Sequence, residues 1–396
     1  MARIALVLGL LGAVGPFAID MYLPALPAVA ADLGASAQAV QGTLSAFFIA
    51  FGLSQMAYGP LSDRMGRRPP LLIGLGVFLV GTIACALAPN VAALTFARAV
   101  QGLGAATVMV VPRAVIRDLH SGPEAARMMA TIMLVIAVSP MLAPLAGSGV
   151  LALSGWRAIF AVLAVAGAVS IALTVFALPE TLAPEARASV RPAEMGRACL
   201  RLLGDRQFMG LTLSAGFGMA SFFVFIASAS FVYAQSFGLG PTAFSIAFAL
   251  NAIGFFGASQ LAGPLGARFG MERMVVWGAS GFAALSLVLL GLTLAGFGTL
   301  PVIVAMLFVA NACLGVVIPT TSVLALDPHP DIAGLASSLG GTLQMVAGGL
   351  MITLIGPFFD GTPLPMVAAI GLCGALAFVS ALALRGRRGP HPCLAD

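Results

Sequence analysis

Two charged side chains, Asp20 and Arg98, interrupt long apolar stretches of a chain in which only 8% of residues are charged. A buried carboxyl group can bind and release a proton, because an apolar environment favours the neutral acid and a nearby guanidinium favours the anion. Asp20 is therefore predicted to be a reversible proton site. The guanidinium of Arg98 stays charged, so it can serve only as a fixed charge and donor, either to Asp20 or to backbone carbonyls.

Each of these residues also has a structural interpretation. Asp20 could simply cap or pin a helix that is interrupted near Pro24 and Pro27, and Arg98 could bond the carbonyls of a kinked helix. A charge at the centre of a membrane span costs roughly 2.5–3.5 kcal/mol on insertion scales. Both side chains are therefore expected to face a bundle interior or a water-filled cavity.

The segments that carry Asp20 and Arg98 are apolar and long enough to cross a membrane as helices. Hydrophobic residues make up 60% of the chain, above the roughly 45–50% of soluble domains. Apolar runs of about 20 residues, the length that spans the hydrocarbon layer, recur along the whole chain. The sequence predicts an all-α membrane protein with twelve transmembrane helices, at 4–30, 38–60, 70–88, 91–112, 127–151, 157–178, 208–233, 243–264, 274–295, 299–321, 333–357 and 364–384.

A short charged hairpin occurs twice. Residues 59–69 read Gly-Pro-Leu-Ser-Asp-Arg-Met-Gly-Arg-Arg-Pro, and residues 263–273 agree with them at five of the eleven positions. Such a repeat indicates a duplicated membrane unit, the pattern expected of a secondary transporter with two six-helix, pseudo-symmetric bundles. The predicted domains are an N-terminal bundle at 1–182, a polar cytoplasmic linker at 183–206 and a C-terminal bundle at 207–396. A regulatory or lipid-binding role is the alternative for the linker.

The arginines indicate the orientation, since all 19 basic residues are Arg. Seventeen fall on one side of the predicted spans, whereas Arg157 lies on the other side and Arg98 within a span. By the positive-inside rule that side is the cytoplasm, and an even number of spans places both termini there. The net charge of +5 thus reflects topology, and no nucleic-acid partner is implied. The seventeen are Arg3, Arg64, Arg67, Arg68, Arg113, Arg117, Arg127, Arg187, Arg191, Arg197, Arg201, Arg206, Arg268, Arg273, Arg385, Arg387 and Arg388.

Several kinds of chemistry are excluded by residue types that are absent or scattered. The chain has no lysine, and both a Walker A loop and a retinal Schiff base require one. Its five cysteines and three histidines show no spacing that indicates a metal site or a disulfide framework. An ion gradient is therefore the expected energy source, with no cofactor, no metal and no enzymatic activity.

The N-terminal segment has one competing interpretation. Arg3, the apolar run at 4–19 and the small residues at 28–30 together resemble a signal peptide with its cleavage site. Cleavage would remove Asp20 and leave eleven spans, which would break the six-plus-six symmetry. We expect the segment to be retained as the first span.

The motifs resemble those of the major facilitator superfamily, and in particular its twelve-helix drug:proton antiporters of the bicyclomycin, chloramphenicol and florfenicol resistance type. The hairpin at 59–69 is similar to the signature loop between helices 2 and 3. Further resemblances are at 20–27 in helix 1, at 98–102 and 117–118 in helix 4, at 155–157 before helix 6 and at 178–181 after it. The resemblance covers nearly the whole chain.

This resemblance implies roles for named residues. Asp20 would be the protonation site and Arg98 its helix 4 partner. A conformational latch on the cytoplasmic side would hold the outward-open state, with Asp63 accepting from the N-terminal amides of a facing helix that starts near Asp331. The alternative is that these charges only stop the helices and fix topology. The second hairpin has Ala267 in place of Asp63, so the latch would be one-sided. Its members are Asp63, Arg64, Arg67, Arg117 and Asp118.

Substrate contacts are expected near the midplane between the two halves. The candidates are the polar residues Tyr22, Gln55, Gln101, Asn251, Asn311 and Gln344, and the aromatic residues Phe217, Phe222 and Phe225. Phenylalanine at such spacings is also typical of packing or of a lipid-facing surface.

The resemblance implies proton-coupled efflux of small amphipathic drugs across the bacterial inner membrane by alternating access. The expected partners are a drug, protons and the lipid bilayer, and the protein is expected to be a monomer. Two alternatives remain: a transporter of a metabolite or nucleoside, and, from another class, a non-transporting membrane receptor or scaffold. Asp20 and Arg98 within the spans argue against the last.

Overall fold

The computed structural model describes residues 2–120, 122–187 and 192–382, and within these ranges the chain is helical, with no strand. Single 3-10 turns lie at Leu23–Ala25, Pro184–Ala186, Pro330–Ile332 and Gly356–Phe358. The α-helices are α1 Ala2–Asp20, α2 Leu26–Asp32, α3 Ala37–Met65, α4 Arg68–Ala86, α5 Val91–Ala105, α6 Thr107–Leu119, α7 Gly122–Ser154, α8 Trp156–Ala177, α9 Pro192–Gly204, α10 Arg206–Phe237, α11 Pro241–Phe269, α12 Met271–Leu294, α13 Leu300–Leu326, α14 Ala333–Ile355 and α15 Pro363–Leu382.

Twelve segments in the described ranges are long and apolar enough to cross a membrane. Two of them consist of two helices each, since α1 and α2 form the first span and α5 and α6 form the fourth. The predicted all-α fold with twelve transmembrane helices is therefore confirmed. Some of the arginines predicted to lie on the cytoplasmic side are outside the described residues, namely Arg191, Arg385, Arg387 and Arg388.

The first span is interrupted after Asp20, and proline explains why. Pro24 is the second residue of a 3-10 turn, and Pro27 lies at the start of α2. Neither has a backbone N–H to continue the hydrogen-bond ladder of α1. The amide of Tyr22 bonds the carbonyl of Ile19 at 3.3 Å. An unbroken α-helix would instead pair that amide with Ala18. The interruption thus frees the Ala18 carbonyl for another donor.

Close helix packing positions the fourth span against its neighbours. At Gly102 a Cβ atom would overlap the backbone of Phe47 in α3, and at Gly104 it would overlap the backbone of Phe78 in α4. Only glycine allows backbones to approach so closely, as is common where membrane helices pack. This packing inserts α5 between α3 and α4 and carries Arg98 into the interior.

The helices pack into two groups. In the first, α5 packs on α3 and α4, α4 on α8, and α1 on α7; in the second, α13 packs on α11 and α12, and α10 on α14 and α15. The main contacts between the groups are those of α3 with α14 and of α7 with α11. The domain boundaries at 182 and 207 stay a prediction.

The polar linker contains a helix that the sequence did not predict. The side chains of α9 that are buried or half-buried recur at helical spacing, at Met195, Ala198, Cys199 and Leu202. Leu202 packs in a cluster with Phe208 and other apolar side chains of the second group. Burying this face stabilises α9 against the second bundle, so this part of the linker is docked rather than fully solvated.

Candidate functional site

Arg98 is completely buried within the first helix group. Its guanidinium carbon lies 4.4 Å from the ring centroid of Phe47 and 4.9 Å from that of Tyr22, and the ring of Phe160 is 6.0 Å away. Aromatic faces attract a cation, and the attraction grows when water is excluded. This aromatic cage makes a buried positive charge tolerable without a carboxylate partner.

The hydrogen bonds of Arg98 connect α5 to the interruption in the first span. Its Nη1 donates to the Ala18 carbonyl at 3.0 Å and to Gln101 Oε1 at 2.5 Å. The Ala18 carbonyl is one of those left without a partner at the end of α1, where the helix dipole is negative and favours a cation. The Nε and Nη2 atoms of Arg98 are buried and have no hydrogen-bond partner among the described residues.

Asp20 is the last residue of α1 and is 4% exposed. Within the described part of the chain its carboxyl group makes neither a hydrogen bond nor an ion pair, so Arg98 and Asp20 are not paired in this structure. Of the two options predicted for Arg98, the structure shows the bond to a backbone carbonyl. The reason is that the helix break presents the freed Ala18 carbonyl two residues before Asp20.

Tyr22 and Gln101, two of the predicted substrate contacts, lie in the core of the first bundle in this conformation. Both are fully buried. The Tyr22 hydroxyl is 3.1 Å from Thr43 Oγ1, and Gln101 Nε2 donates to Thr82 Oγ1 at 2.8 Å. Their polar groups already have partners within the first bundle, because each side chain surrounds or supports Arg98.

Asn251 and Asn311 are likewise internal to the second bundle. Asn251 Nδ2 donates to the Ala247 carbonyl at 3.1 Å, and Asn311 Nδ2 donates to Asn251 Oδ1 at 3.4 Å. Both residues are buried. The pair joins α11 to α13, and its role as a predicted substrate contact stays a prediction.

The aromatic residues of α10 mostly pack against phenylalanines of α11. Phe222 stacks on Phe255 at 5.5 Å, and Phe225 stacks on Phe248 at 5.8 Å, so both predicted substrate residues pack on α11 in this conformation. Phe217 is half-buried. The neighbouring Phe223 stacks at 4.1 Å on Phe48 of α3 and so joins the two helix groups.

The two groups enclose a cavity of about 460 Å³, which we call the inner cavity. Of the predicted substrate residues, Gln55 and Gln344 line it, one from each group. Arg113 and Arg117 also line the cavity. From the sequence, Arg113 was predicted only to be one of the arginines on the cytoplasmic side. A volume of this size suits a drug-sized ligand.

An outer compartment of about 470 Å³ adjoins the inner cavity, and Arg117 lines both. The outer compartment reaches Asp63 in the hairpin at 59–69 and Asp331 before α14. We call this end of the molecule the hairpin face. The two helix groups are thus separated by open space near the hairpin face.

Towards the opposite end the groups are joined by direct bonds. Thr342 Oγ1 donates to the Gly52 carbonyl at 2.7 Å, and Ser245 Oγ donates to the Pro144 carbonyl at 3.0 Å. Gln41, near the start of α3, donates through Nε2 to Ser228 Oγ at 3.5 Å. The structure therefore shows a conformation that is open at the hairpin face and closed at the other end.

Arg67 organises the predicted latch residues. It holds Asp118 through two bonds, Nε to Oδ2 at 2.7 Å and Nη2 to Oδ1 at 3.0 Å, and its Nη1 donates to Asp63 Oδ1 at 2.5 Å. Burial lowers the pKa of the Arg67 guanidinium, but the bonds to the two carboxylates outweigh burial and leave the pKa raised. This bidentate geometry ties the hairpin to the end of α6.

The bond predicted between Asp63 and the helix amides near Asp331 is not formed. Asp63 bonds Arg67, and the outer compartment separates it from the start of α14. The physical reason is the conformation, because the halves are apart at the hairpin face. Arg64 is exposed, and Arg117 donates through Nε to the Arg113 carbonyl at 3.4 Å.

Glu180 is a further member of this cluster. It lies in the motif at 178–181, and the sequence did not predict a role for it. Its carboxylate accepts from the amides of Arg67 at 2.8 Å and Arg68 at 3.1 Å, at the start of α4. Burial raises the pKa of Glu180, but the bonds from backbone amides outweigh it and leave the pKa lowered. Gly66 has φ +91°, and a Cβ there would lie 2.7 Å from Glu180 Oε2.

We expect Glu180→Ala to lower the free energy of unfolding by about 1 kcal/mol, the usual cost of losing a helix cap. The change is measured as a lower melting temperature in detergent. Because the folded-state pKa is lowered, the stabilisation is present above the unfolded pKa and is lost as pH falls through the folded-state pKa. The difference between wild type and variant should therefore shrink in acid. Glu185→Ala, an exposed acid nearby, is the control, and equal melting of both variants at neutral pH would contradict the cap.

Two helix groups around a shared cavity, open at one end and closed at the other, are typical of secondary transporters. The chain belongs to the Major Facilitator Superfamily, whose family model matches residues 8–352. It is a multi-pass membrane transporter for small molecules, as the sequence motifs predicted.

Curated relatives cover nearly the whole chain. A Bacillus subtilis protein named uncharacterized MFS-type transporter YdgK is 35% identical over 96% of this chain and 92% of its own length. A bicyclomycin resistance protein homolog of Haemophilus influenzae is 30% identical over 96% of both chains. Multidrug resistance protein D of Escherichia coli is 31% identical over 89% of this chain and 88% of its own.

Solved structures agree on the fold. The crystal structure of a D-xylose-proton symporter superposes with a TM-score of 0.74 over 96% of both chains at 17% identity. At this identity the likeness concerns the architecture and not the cargo.

Proposed function

We propose that this protein exports small amphipathic drugs across the bacterial inner membrane in exchange for protons. The observation that carries the proposal is the buried, unpaired carboxyl group of Asp20, two residues along the chain from the Ala18 carbonyl that the partly unpartnered guanidinium of Arg98 bonds. Such an arrangement suits a group that gains and loses a proton during a transport cycle. The names of relatives that confer drug resistance support a drug as the cargo.

The hairpin face is proposed to be cytoplasmic, with both termini on that side. Arginines concentrate there, in agreement with the positive-inside rule. With this orientation the inner cavity opens to the cytoplasm, the side from which an exporter loads its cargo. The contacts between Ser245 and Pro144 and between Gln41 and Ser228 then close the periplasmic side.

Proton release from Asp20 is proposed to change the bonding of Arg98. In the neutral state Nη1 holds the Ala18 carbonyl, while Nε and Nη2 remain free. An ionised Asp20 would attract these free donors, because a charged acceptor bonds a guanidinium more strongly than a carbonyl does. Moving the guanidinium from the carbonyl of residue 18 towards the carboxylate of residue 20 would shift the helix break relative to α5.

The hairpin cluster is proposed to act in the outward-open state. When the halves approach at the hairpin face, Asp63 would reach the first amides of α14, where the helix dipole is positive. Arg67, held by Asp118, keeps Asp63 in position for this contact. We further propose that the protein works as a monomer with no cofactor and no covalent chemistry, powered by the proton gradient.

A growth screen tests the proposal directly. Wild type and Asp20→Asn are produced in a host that lacks its own drug pumps and are compared across an antibiotic panel. Proton-coupled export predicts resistance to at least one compound with wild type and none with the variant. Sensitisation by wild type would indicate uptake of a metabolite-like compound, and no effect on any compound would favour a receptor or scaffold.

A vesicle assay tests the coupling. Purified protein is reconstituted with a pH-sensitive dye in the lumen, and the identified drug is added outside. Antiport predicts that protons leave the lumen as drug enters it, so the lumen becomes alkaline. Movement of both in the same direction would contradict export by exchange.

A further inference from the structure

The inner cavity carries positive charge without a compensating acid. Arg113 and Arg117 line it from α6, and none of its described lining residues is Asp or Glu. Arg113 is half-buried, and its guanidinium has no hydrogen-bond or ion-pair partner among the described residues. An unpaired, desolvated cation is costly, so this wall is suited to an anion that enters with the cargo.

The spacing of the two arginines adds to that cost. Residues four apart lie on the same face of a helix, and like charges there repel one another. Asp118, the next residue along, cannot compensate them fully, because Arg67 holds both of its oxygens. A single carboxylate placed near the two guanidiniums would relieve the repulsion and accept hydrogen bonds from both.

A helix N-terminus contributes to the same wall. Ala333 and Gly334, the first two residues of α14, line the inner cavity. The N-cap residue Ile332 provides no side-chain hydrogen bond, so amides of the first turn lack a side-chain partner. The Ala333 amide bonds the Pro330 carbonyl, but the positive end of the helix dipole still attracts anions, in addition to the unpartnered Arg113.

Among the described lining residues of the two spaces, the acids belong to the outer compartment. Asp63, Glu194 and Asp331 line that compartment and not the inner cavity. Asp63 is bonded to Arg67. Arg117 lines both spaces, whereas Arg113 lines only the inner cavity, so the positive wall extends inward from the outer compartment. An anion that passes the acids would meet the arginines next.

The rest of the inner cavity is suited to an apolar group. Met109, Met129 and Met345 line it together with Val110 and Leu326. Methionine side chains are flexible and polarisable, so they adapt to apolar groups of different shapes. A ligand with one acidic end and an apolar body would match both kinds of surface.

We propose that the inner cavity binds amphipathic organic carboxylates, with the carboxylate at Arg113 and Arg117 and the apolar body along the methionines. This inference rests on the proposed export function and names the class of cargo. It distinguishes this site from Asp20, which lies outside the lining of the cavity and is proposed to carry the proton.

Dansylglycine, a fluorescent aromatic carboxylate, and its uncharged methyl ester form a matched pair of probes. Full-length protein is placed in nanodiscs of zwitterionic phosphatidylcholine, so that no anionic lipid competes, and Kd is measured by fluorescence titration. We expect the acid to bind at least about tenfold more tightly than the ester, as for loss of a charge-assisted bond. Arg113→Gln should weaken binding of the acid by a similar factor and leave the ester within about twofold.

Arg268→Gln is the matched control, because it removes an exposed arginine outside the cavity; its acid-to-ester ratio should equal that of wild type. If Arg113→Gln does not fold, the inference is tested by the same titration of Arg117→Gln and by the ratio of acid to ester affinity in wild type. Equal binding of acid and ester by wild type, or equal loss of both in a folded Arg variant, would overturn the inference. If the protein exports uncharged drugs in exchange for protons but binds the acid and the ester equally, only the carboxylate inference is overturned. If it prefers the acid but exchanges no protons, the proposed proton coupling is overturned instead.

Discussion

The Asp20→Asn variant is expected to fold and insert normally and to lose proton-driven export completely. Asparagine has nearly the same shape as aspartic acid but cannot bind or release a proton at accessible pH. The Asp20 carboxyl group makes no hydrogen bond or ion pair with any described residue, so the substitution breaks no contact of the fold. Export is lost because the cycle no longer exchanges a proton for the drug.

The measurement separates binding from coupling. Drug binding to the purified variant should remain, since Asp20 does not line the inner cavity, while a pH gradient across reconstituted vesicles should drive no uptake of drug. Passive exchange of labelled drug for unlabelled drug across the same vesicles should continue, because it needs no net proton transfer.

Asp327→Asn is a suitable control, because it makes the same chemical change at an exposed residue after α13. It should transport like wild type. Undiminished gradient-driven export by Asp20→Asn, with correct folding, would show that another group carries the proton. Loss of folding in this variant would instead support the structural interpretation, in which Asp20 only pins the interrupted helix.

The sequence was sufficient for the fold because membrane spans are set by length and composition. Apolar runs of about 20 residues predict helices almost independently of their neighbours, and Pro24 and Pro27 indicated the interruption in the first span. Boundaries were harder. The sequence placed the end of the second span at residue 60, whereas α3 continues to Met65, because a proline within a membrane helix does not necessarily end it.

The substrate residues were less predictable, since helical spacing does not show which face meets the other bundle. Tyr22 and Gln101 are polar and near the midplane, as a substrate contact should be, yet both serve the aromatic cage and network of Arg98. Gln55 and Gln344 have the same side chain as Gln101 but line the cavity. These glutamines differ in the direction that their side chains face, which depends on how each helix is rotated about its axis. Tertiary packing determines that rotation.

The roles of two further charged residues, Arg113 and Glu180, depend on tertiary contacts. Arg113 counts as one more cytoplasmic arginine in the sequence, but the bend between α5 and α6 places it on the cavity wall. Glu180 lies more than 110 residues from the hairpin in sequence and still caps α4. Long-range contacts of this kind have no local sequence pattern, although the positive-φ Gly66 before Arg67 marks the site where Glu180 docks.

The Arg98→Met variant is expected to fold but to lose at least about tenfold of its proton-coupled export, the factor that corresponds to a lost bond to a charged group. Methionine is apolar and flexible, so it can fill the cage of Phe47, Tyr22 and Phe160 and removes a buried charge whose desolvation is costly. The Ala18 carbonyl and Gln101 each lose a donor, which offsets part of that gain. We therefore expect the melting temperature to change by only a few degrees.

Transport is affected more than stability because the cycle depends on the position of the charge. Without a guanidinium, an ionised Asp20 has no cation to move towards, so deprotonation no longer shifts the helix break relative to α5. Arg98→Lys should recover little, since an ammonium group lacks the planar fork that can hold a carbonyl and a carboxylate together. Gln101→Leu is the control, because it removes a bond of Arg98 but keeps its charge, and it should retain most export. A parallel loss of melting temperature and export across the three variants would show that Arg98 acts only as a structural support for the broken helix.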